Sequence, residues 1–138
     1  MEKAEQEITR DLEQVLKRKI RRMEKEYIRF DAYDKKKNLY EYKHRHKHYD
    51  EVLFEFSKYA SNLMYSKHIG YRFLYVVRMG SYTYIFNISE LNSNGYDFNF
   101  EWKDLPRSTE GGASGTLQKY IGYIDTTEAS LVFNHSST

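Results

Sequence analysis

Asp31, Glu41 and Lys43 combine two carboxylates and an ammonium within thirteen residues, and together these groups suit metal-assisted attack on a phosphodiester. Residues 27–33 and 39–43 are rich in β-branched and aromatic types, and the polar run 34–38 between them predicts the turn of a β-hairpin. If that turn centres on Lys36, facing residues are equidistant from it, and Asp31 lies opposite Glu41 with side chains within ~5.5 Å. Strand alternation puts Lys43 on the same side. Like charges directly opposite destabilise a sheet unless a cation sits between them, and a hard divalent ion with oxygen ligands is the simplest candidate. Mg²⁺ or Mn²⁺ held by Asp31, Glu41 and the backbone carbonyl of Tyr42 would bind a phosphate oxygen and acidify a water. Lys43 would orient that water, help deprotonate it, or neutralise charge at phosphorus.

Such a hairpin needs elements to hold it. Ile8, Leu12, Val15, Leu16, Ile20, Met23 and Tyr27 recur at spacings of three and four, which predicts an amphipathic helix over residues 4–27. A second helix is predicted over 50–67, with Val52, Leu53, Phe56, Tyr59, Ala60, Leu63 and Met64 on one face and Gly70 beyond its end. Residues 71–78 and 82–88 read as strands joined by Met79, Gly80 and Ser81. The fold class is α/β, a mixed sheet flanked by helices in the order α-β-β-α-β-β. The 138 residues suit one domain with its core at about 5–90. Residues 91–138 read as a C-terminal extension, with a turn at 92–95, a strand at 96–102, a mobile Gly/Ser/Thr-rich loop at 108–116 and closing segments at 117–123 and 129–133.

The net charge of +2 is nearly balanced, but its distribution is not: residues 14–48 hold 13 Lys or Arg against five acids. A basic half around a carboxylate pair suits a polyanion. With no cysteine, disulfides, thiolate metal sites and thiol nucleophiles are excluded. No apolar stretch approaches the ~20 residues of a membrane span and the N-terminus is charged, so the chain reads as soluble and cytoplasmic.

Three rival features have simpler explanations. Asp34 opens a Lys-Lys-Lys-Asn loop and suits an Asx-type cap. His44, His46 and His48 alternate as a zinc-binding strand face would, yet beside Arg45 and Lys47 they read as exposed residues pointing away from Glu41 and Lys43. Glu101-Trp102-Lys103 repeats the Glu-x-Lys spacing without an Asp on a preceding hairpin strand or a following amphipathic helix, and reads as ordinary surface charge.

A helix, a hairpin carrying Asp31 and then Glu41-Tyr42-Lys43, a helix and a strand, over residues 8–88, resemble the core of the PD-(D/E)XK (restriction-endonuclease-like) nuclease superfamily. Phe30 stands where the superfamily's proline would precede the Asp. The resemblance implies that Asp31, Glu41 and Lys43 form the catalytic and metal-holding set, that Lys58 on the following helix adds a catalytic cation, and that Glu5 on the first helix is a further acidic candidate. It implies a Mg²⁺- or Mn²⁺-dependent endonuclease acting on duplex or branched DNA. Arg18, Arg22, Lys36 and Arg45 are candidates for backbone contacts, and double-strand cleavage would need a homodimer or higher oligomer. The alternative is a catalytically silent nuclease-like fold serving as a nucleic-acid-binding or regulatory module.

Overall fold

A computed structural model of the chain describes residues 2–23, 30–106 and 115–135. The described residues form thirteen helices and strands, and most of the strands build a six-stranded sheet in the order β1 (Ile20–Arg22), β2 (Ala32–Asp34), β3 (Asn38–Arg45), β5 (Arg72–Met79), β6 (Tyr82–Asn87), β9 (Leu131–Asn134), mixed because β3 runs parallel to β5 while the other pairs are antiparallel. Helix α1 (Glu2–Leu16) buries Ile8 and Leu12 against one face, among Ile20, Tyr40, Tyr42, Leu74 and Val76. Helix α2 (Phe56–Ile69) packs Tyr59 and Leu63 against the other, among Leu39, Phe73, Tyr75 and Val77. A three-stranded antiparallel sheet, β4 (Glu51–Glu55), β8 (Thr116–Asp125) and β7 (Glu101–Pro106) in that order, shares that second face through Val52, Phe54 and Ile124. The protein is thus mixed α/β with helices on both sides of a mixed sheet. No helix among the described residues is long and apolar enough to cross a membrane.

The first predicted helix is shorter than its apolar stripe. Lys17 adopts a positive φ of 53°, and the chain turns back so that β1 (Ile20–Arg22) pairs with β2 (Ala32–Asp34). Ile20 belongs to the helical stripe by spacing, yet long-range strand pairing claims it, and the Glu13 carboxylate accepts the Ile20 N–H at 3.0 Å. Residues 24–29, expected as the end of this helix and the start of the hairpin, lie outside the described residues.

The hairpin has the expected register near its tip, but the ladder ends at Ala32: Asp31 lies at a bend outside β2, its N–H bonded to the Tyr40 carbonyl, and does not form the expected cross-strand pair with Glu41. Ala32 pairs with Tyr40 and Tyr33 with Leu39, each equidistant from Lys36. Its second strand, β3 (Asn38–Arg45), is longer than predicted because β5 (Arg72–Met79) pairs with it along all eight residues. Asp34 explains the turn. Its carboxylate accepts the backbone N–H groups of Lys36 and Asn38, and Lys37 takes a left-handed φ of 66°.

The predicted order α-β-β-α-β-β also needs a strand before the second helix. Residues 51–55 form β4 (Glu51–Glu55) because Val52 and Phe54 alternate into the core and β8 (Thr116–Asp125) supplies an antiparallel partner. The helix begins only at Phe56 and ends at Gly70, whose φ of 75° lets its N–H reach back to the last turn. Strand β6 (Tyr82–Asn87) follows as predicted, then a short helix α3 (Ile88–Ser93). The strand expected at 96–102 is β7 (Glu101–Pro106) instead, since residues 96–100 pack Phe98 and Phe100 as an irregular aromatic segment. The expected closing segments are β8 and β9 (Leu131–Asn134), and β9 completes the main sheet beside β6. Of the expected loop at 108–116, residues 108–114 lie outside the described residues.

Candidate functional site

Strand β3 divides its side chains between two environments. Tyr40 and Tyr42 point to the α1 face, while Leu39, Glu41, Lys43 and Arg45 share the face toward α2 and the second sheet. Beneath that second face is a cavity of about 520 Å³, whose walls include Glu41, Lys43, Arg45, Glu55, Lys58 and Lys119 among Tyr59, Phe73 and Tyr75. Two strands and a helix start therefore converge here: β3 supplies Glu41, Lys43 and Arg45, the β4–α2 junction supplies Glu55 and Lys58, and β8 supplies Lys119.

Asp31 sits at a bend just before β2, where its N–H donates to the Tyr40 carbonyl and its Oδ2 accepts the Tyr42 N–H at 2.7 Å. Burial pushes its carboxyl up to about 6 against the opposing pull of that N–H, and Glu5 raises it further by charge and by a shared side-chain hydrogen bond. Glu41 is pushed higher, to about 8, first by burial and then by the Asp31 charge, while Lys58 and Lys43 pull it down. Lys43 is lowered by burial and by the cations Arg45 and Lys58, with Glu55 and Glu41 acting in the other direction. Each of these shifts has neighbouring charges in common with the others, so Glu5, Asp31, Glu41, Lys43 and Lys58 form one electrostatic unit.

Its donor set suits a hard cation. Two half-buried carboxylates, one raised by the charge of the other, gain from a divalent ion, and Mg²⁺ commonly takes one or two protein carboxylates with water filling the remaining positions. Among the described residues no group of three or more His, Asp or Glu is arranged to hold a metal by itself. Glu5, the third acid, is ion-paired to Arg22 at 3.2 Å.

Other candidates fall elsewhere. Asp34 is fully engaged on the α1 side: burial raises it, but the Tyr40 hydroxyl at 2.6 Å, Asn38 and Arg18 more than offset this and hold it below the ordinary range. Arg18 is thereby committed to Asp34, and Arg22 to Glu5. Lys36 is exposed at the hairpin tip, at the end of β3 away from Lys43, while Arg45 lines the cavity. The rings of His44 and His46 lie 5.1 Å apart and tilted by 56°, and His48 shares a 2.8 Å hydrogen bond with the Tyr84 hydroxyl. Glu55 and Lys119, joined in an ion pair at the cavity wall, are two site residues that no sequence pattern singles out. Only the pairing of β4 with β8 makes them neighbours.

Comparison of the chain with family models, curated proteins and solved structures finds no match.

Proposed function

We propose that the protein is a divalent-metal-dependent endonuclease that hydrolyses phosphodiester bonds in DNA, with a restriction-endonuclease-like core. The observation that carries the reading is the pair of half-buried carboxylates Asp31 and Glu41, pushed to about 6 and about 8: Glu41 lines the cavity with Lys43, Lys58, Arg45 and Lys119, and Asp31, outside the lining, raises Glu41 by its charge. Burial and mutual repulsion of this kind are costly in a structural hairpin and useful in a site that binds a cation. In support of the reading, α1, β2–β3, α2 and β5 follow one another along the chain, with β1 and β4 interposed and Asp31 just before β2.

Asp31 and Glu41 would hold Mg²⁺ or Mn²⁺, which when bound would supply Lewis-acid stabilisation of the charge developing on the phosphate. Lys43, half-buried and with its pKa lowered, orients the attacking water and takes up its proton more readily than an ordinary surface lysine. Lys58 and Arg45 hold the phosphate by charge, and Tyr42 fixes Asp31 through its N–H.

Plasmid and branched-DNA cleavage with Mg²⁺, Mn²⁺ or EDTA tests the reading, run beside Lys43→Ala and Asp31→Asn. Metal-dependent nicking by the wild type that both variants lose is the expected result. DNA binding with no cutting under any metal would favour the catalytically silent module.

A further inference from the structure

Asn62 lies on α2 at the wall of the cavity, and only 3 % of the residue is exposed. A buried carboxamide normally has partners, because its donors and its acceptor are costly to hold unpaired away from water. The other buried polar side chains follow that rule. Thr9 shares a hydrogen bond with Tyr42 and Thr83 with His135, Ser66 donates to the Leu63 carbonyl, Asn38 donates to Asp34, and Asp11 meets Arg78. Asn62 is the exception: its carboxamide makes no hydrogen bond among the described residues.

The same cavity holds uncommitted cations. The side chains of Lys43, Arg45 and Lys58 line it without an ion pair or hydrogen bond among the described residues, whereas Lys119 is held by Glu55, and Arg18, Arg22 and Arg78 are paired elsewhere. Cations and carboxamide stand at different levels. Lys58 and Asn62 are four residues apart on α2 and therefore on one side of it, separated by about 6 Å along its axis. The tight turn at Gly70 joins the end of α2 to the start of β5, which puts Asn62, rather than Lys58, on the Phe73 side. Along the sheet, Phe73 is level with Leu39, Tyr75 with Glu41 and Val77 with Lys43, so the wall passes from apolar to cationic with Glu41 between.

A flat group with a polar edge, joined to an anion, satisfies both ends, and a nucleotide is such a molecule. A carboxamide sets a donor beside an acceptor, the pattern that pairs with a base edge. Phosphate or a sugar phosphate would use the cations and leave Asn62 unpaired. The volume of about 520 Å³ falls among the ~300–1,000 Å³ of small-ligand pockets and suits one nucleotide rather than a base pair with both its backbones.

We propose that the cavity binds a single unpaired nucleotide of DNA, its phosphate held by Lys43, Lys58 and Arg45 beside Glu41 and its base edge hydrogen-bonded by Asn62. This rests on the endonuclease reading for taking the nucleotide from DNA. It narrows the substrate to DNA in which a nucleotide at the cut is unpaired or extruded, since a base inside a duplex cannot reach α2.

Calorimetric titration in EDTA compares deoxyadenosine monophosphate with deoxyribose phosphate, which has the same anion and no base. The nucleotide is expected to bind about tenfold tighter, and Asn62→Ala to lower that ratio about fivefold. A purely structural Asn62 would change the urea melt and leave the ratio alone. A duplex with one bulged deoxyadenosine should displace the nucleotide at a concentration about tenfold below that needed with the fully paired duplex. Equal binding of the two small probes, a ratio unmoved by Asn62→Ala, or equal displacement by the two duplexes overturns the proposal. Binding is read without metal, so if these differences hold while the plasmid stays intact, the nucleotide site stands and the endonuclease reading alone fails.

Discussion

Glu41-Tyr42-Lys43 and Glu101-Trp102-Lys103 have the same spacing and opposite settings. The first lies on β3, inside the main sheet between β2 and β5, with Glu41 half-buried and facing a cavity. The second lies on β7, the edge of the small sheet, where all three residues are exposed, Glu101 accepts a hydrogen bond from the Tyr123 hydroxyl at 3.0 Å, and Lys103 sits over the Tyr123 ring. Burial and a second carboxylate distinguish them. Asp31 stands behind the first triplet, while Asp97, four residues before the second, makes only a local turn bond to Asn99 N–H. A Glu-x-Lys triplet acquires unusual protonation only where the fold withholds water and adds a like charge.

The comparison breaks most visibly in activity. Lys43→Ala is expected to lower the cleavage rate ~10³-fold in a supercoiled-plasmid nicking assay, whereas Lys103→Ala leaves it unchanged. Equal losses from the two would remove the distinction between the triplets.

Next in size is a contrast between the hairpin's two aspartates. Asp34 receives bonds from Tyr40, Asn38, Lys36 and Arg18, so Asp34→Ala should cost ~3 kcal/mol of unfolding free energy in urea by stranding those buried donors. Asp31→Asn at pH 8 should cost little or stabilise the metal-free protein, because it removes a charge that burial disfavours.

A smaller effect sharpens the electrostatic part. Glu41 has a folded pKa of about 8 against an ordinary value of 4.5, so ionising it weakens the fold. The penalty is absent below the ordinary value, grows as pH rises between the two, and is complete above 8. Glu41→Gln should therefore stabilise the metal-free protein by ~2 kcal/mol at pH 8.5 and hardly at all at pH 4.5. Glu101→Gln should lie within ~0.5 kcal/mol of wild type at both. Urea melts at the two pH values check this.

The sequence carried the hairpin well and its surroundings less so. A polar turn centred on Lys36 was enough to set the register of Ala32 and Tyr33 against Tyr40 and Leu39, and Asp34 acts as the expected cap, but the bend at Asp31 takes that residue out of the ladder before it can face Glu41. Ile20 and Val52 were misplaced for a common reason: each fits a helical stripe locally, but a partner strand distant in sequence, β2 for one and β8 for the other, decides its conformation. Glu5, which the resemblance implied as an acid on the first helix, is brought by the fold to Asp31. Glu55 and Lys119 could not be named, since they meet only through a pairing that spans more than sixty residues.

The central claim, that the half-buried triplet and not the exposed one holds a divalent cation, is tested most directly by counting bound Mn²⁺ by electron paramagnetic resonance. The account predicts one Mn²⁺ per chain, binding more tightly as pH rises from 6 to 8.5, abolished by Glu41→Gln and retained by Glu101→Gln. Absence of bound Mn²⁺ in the wild type, or binding that survives Glu41→Gln and disappears in Glu101→Gln, would contradict it.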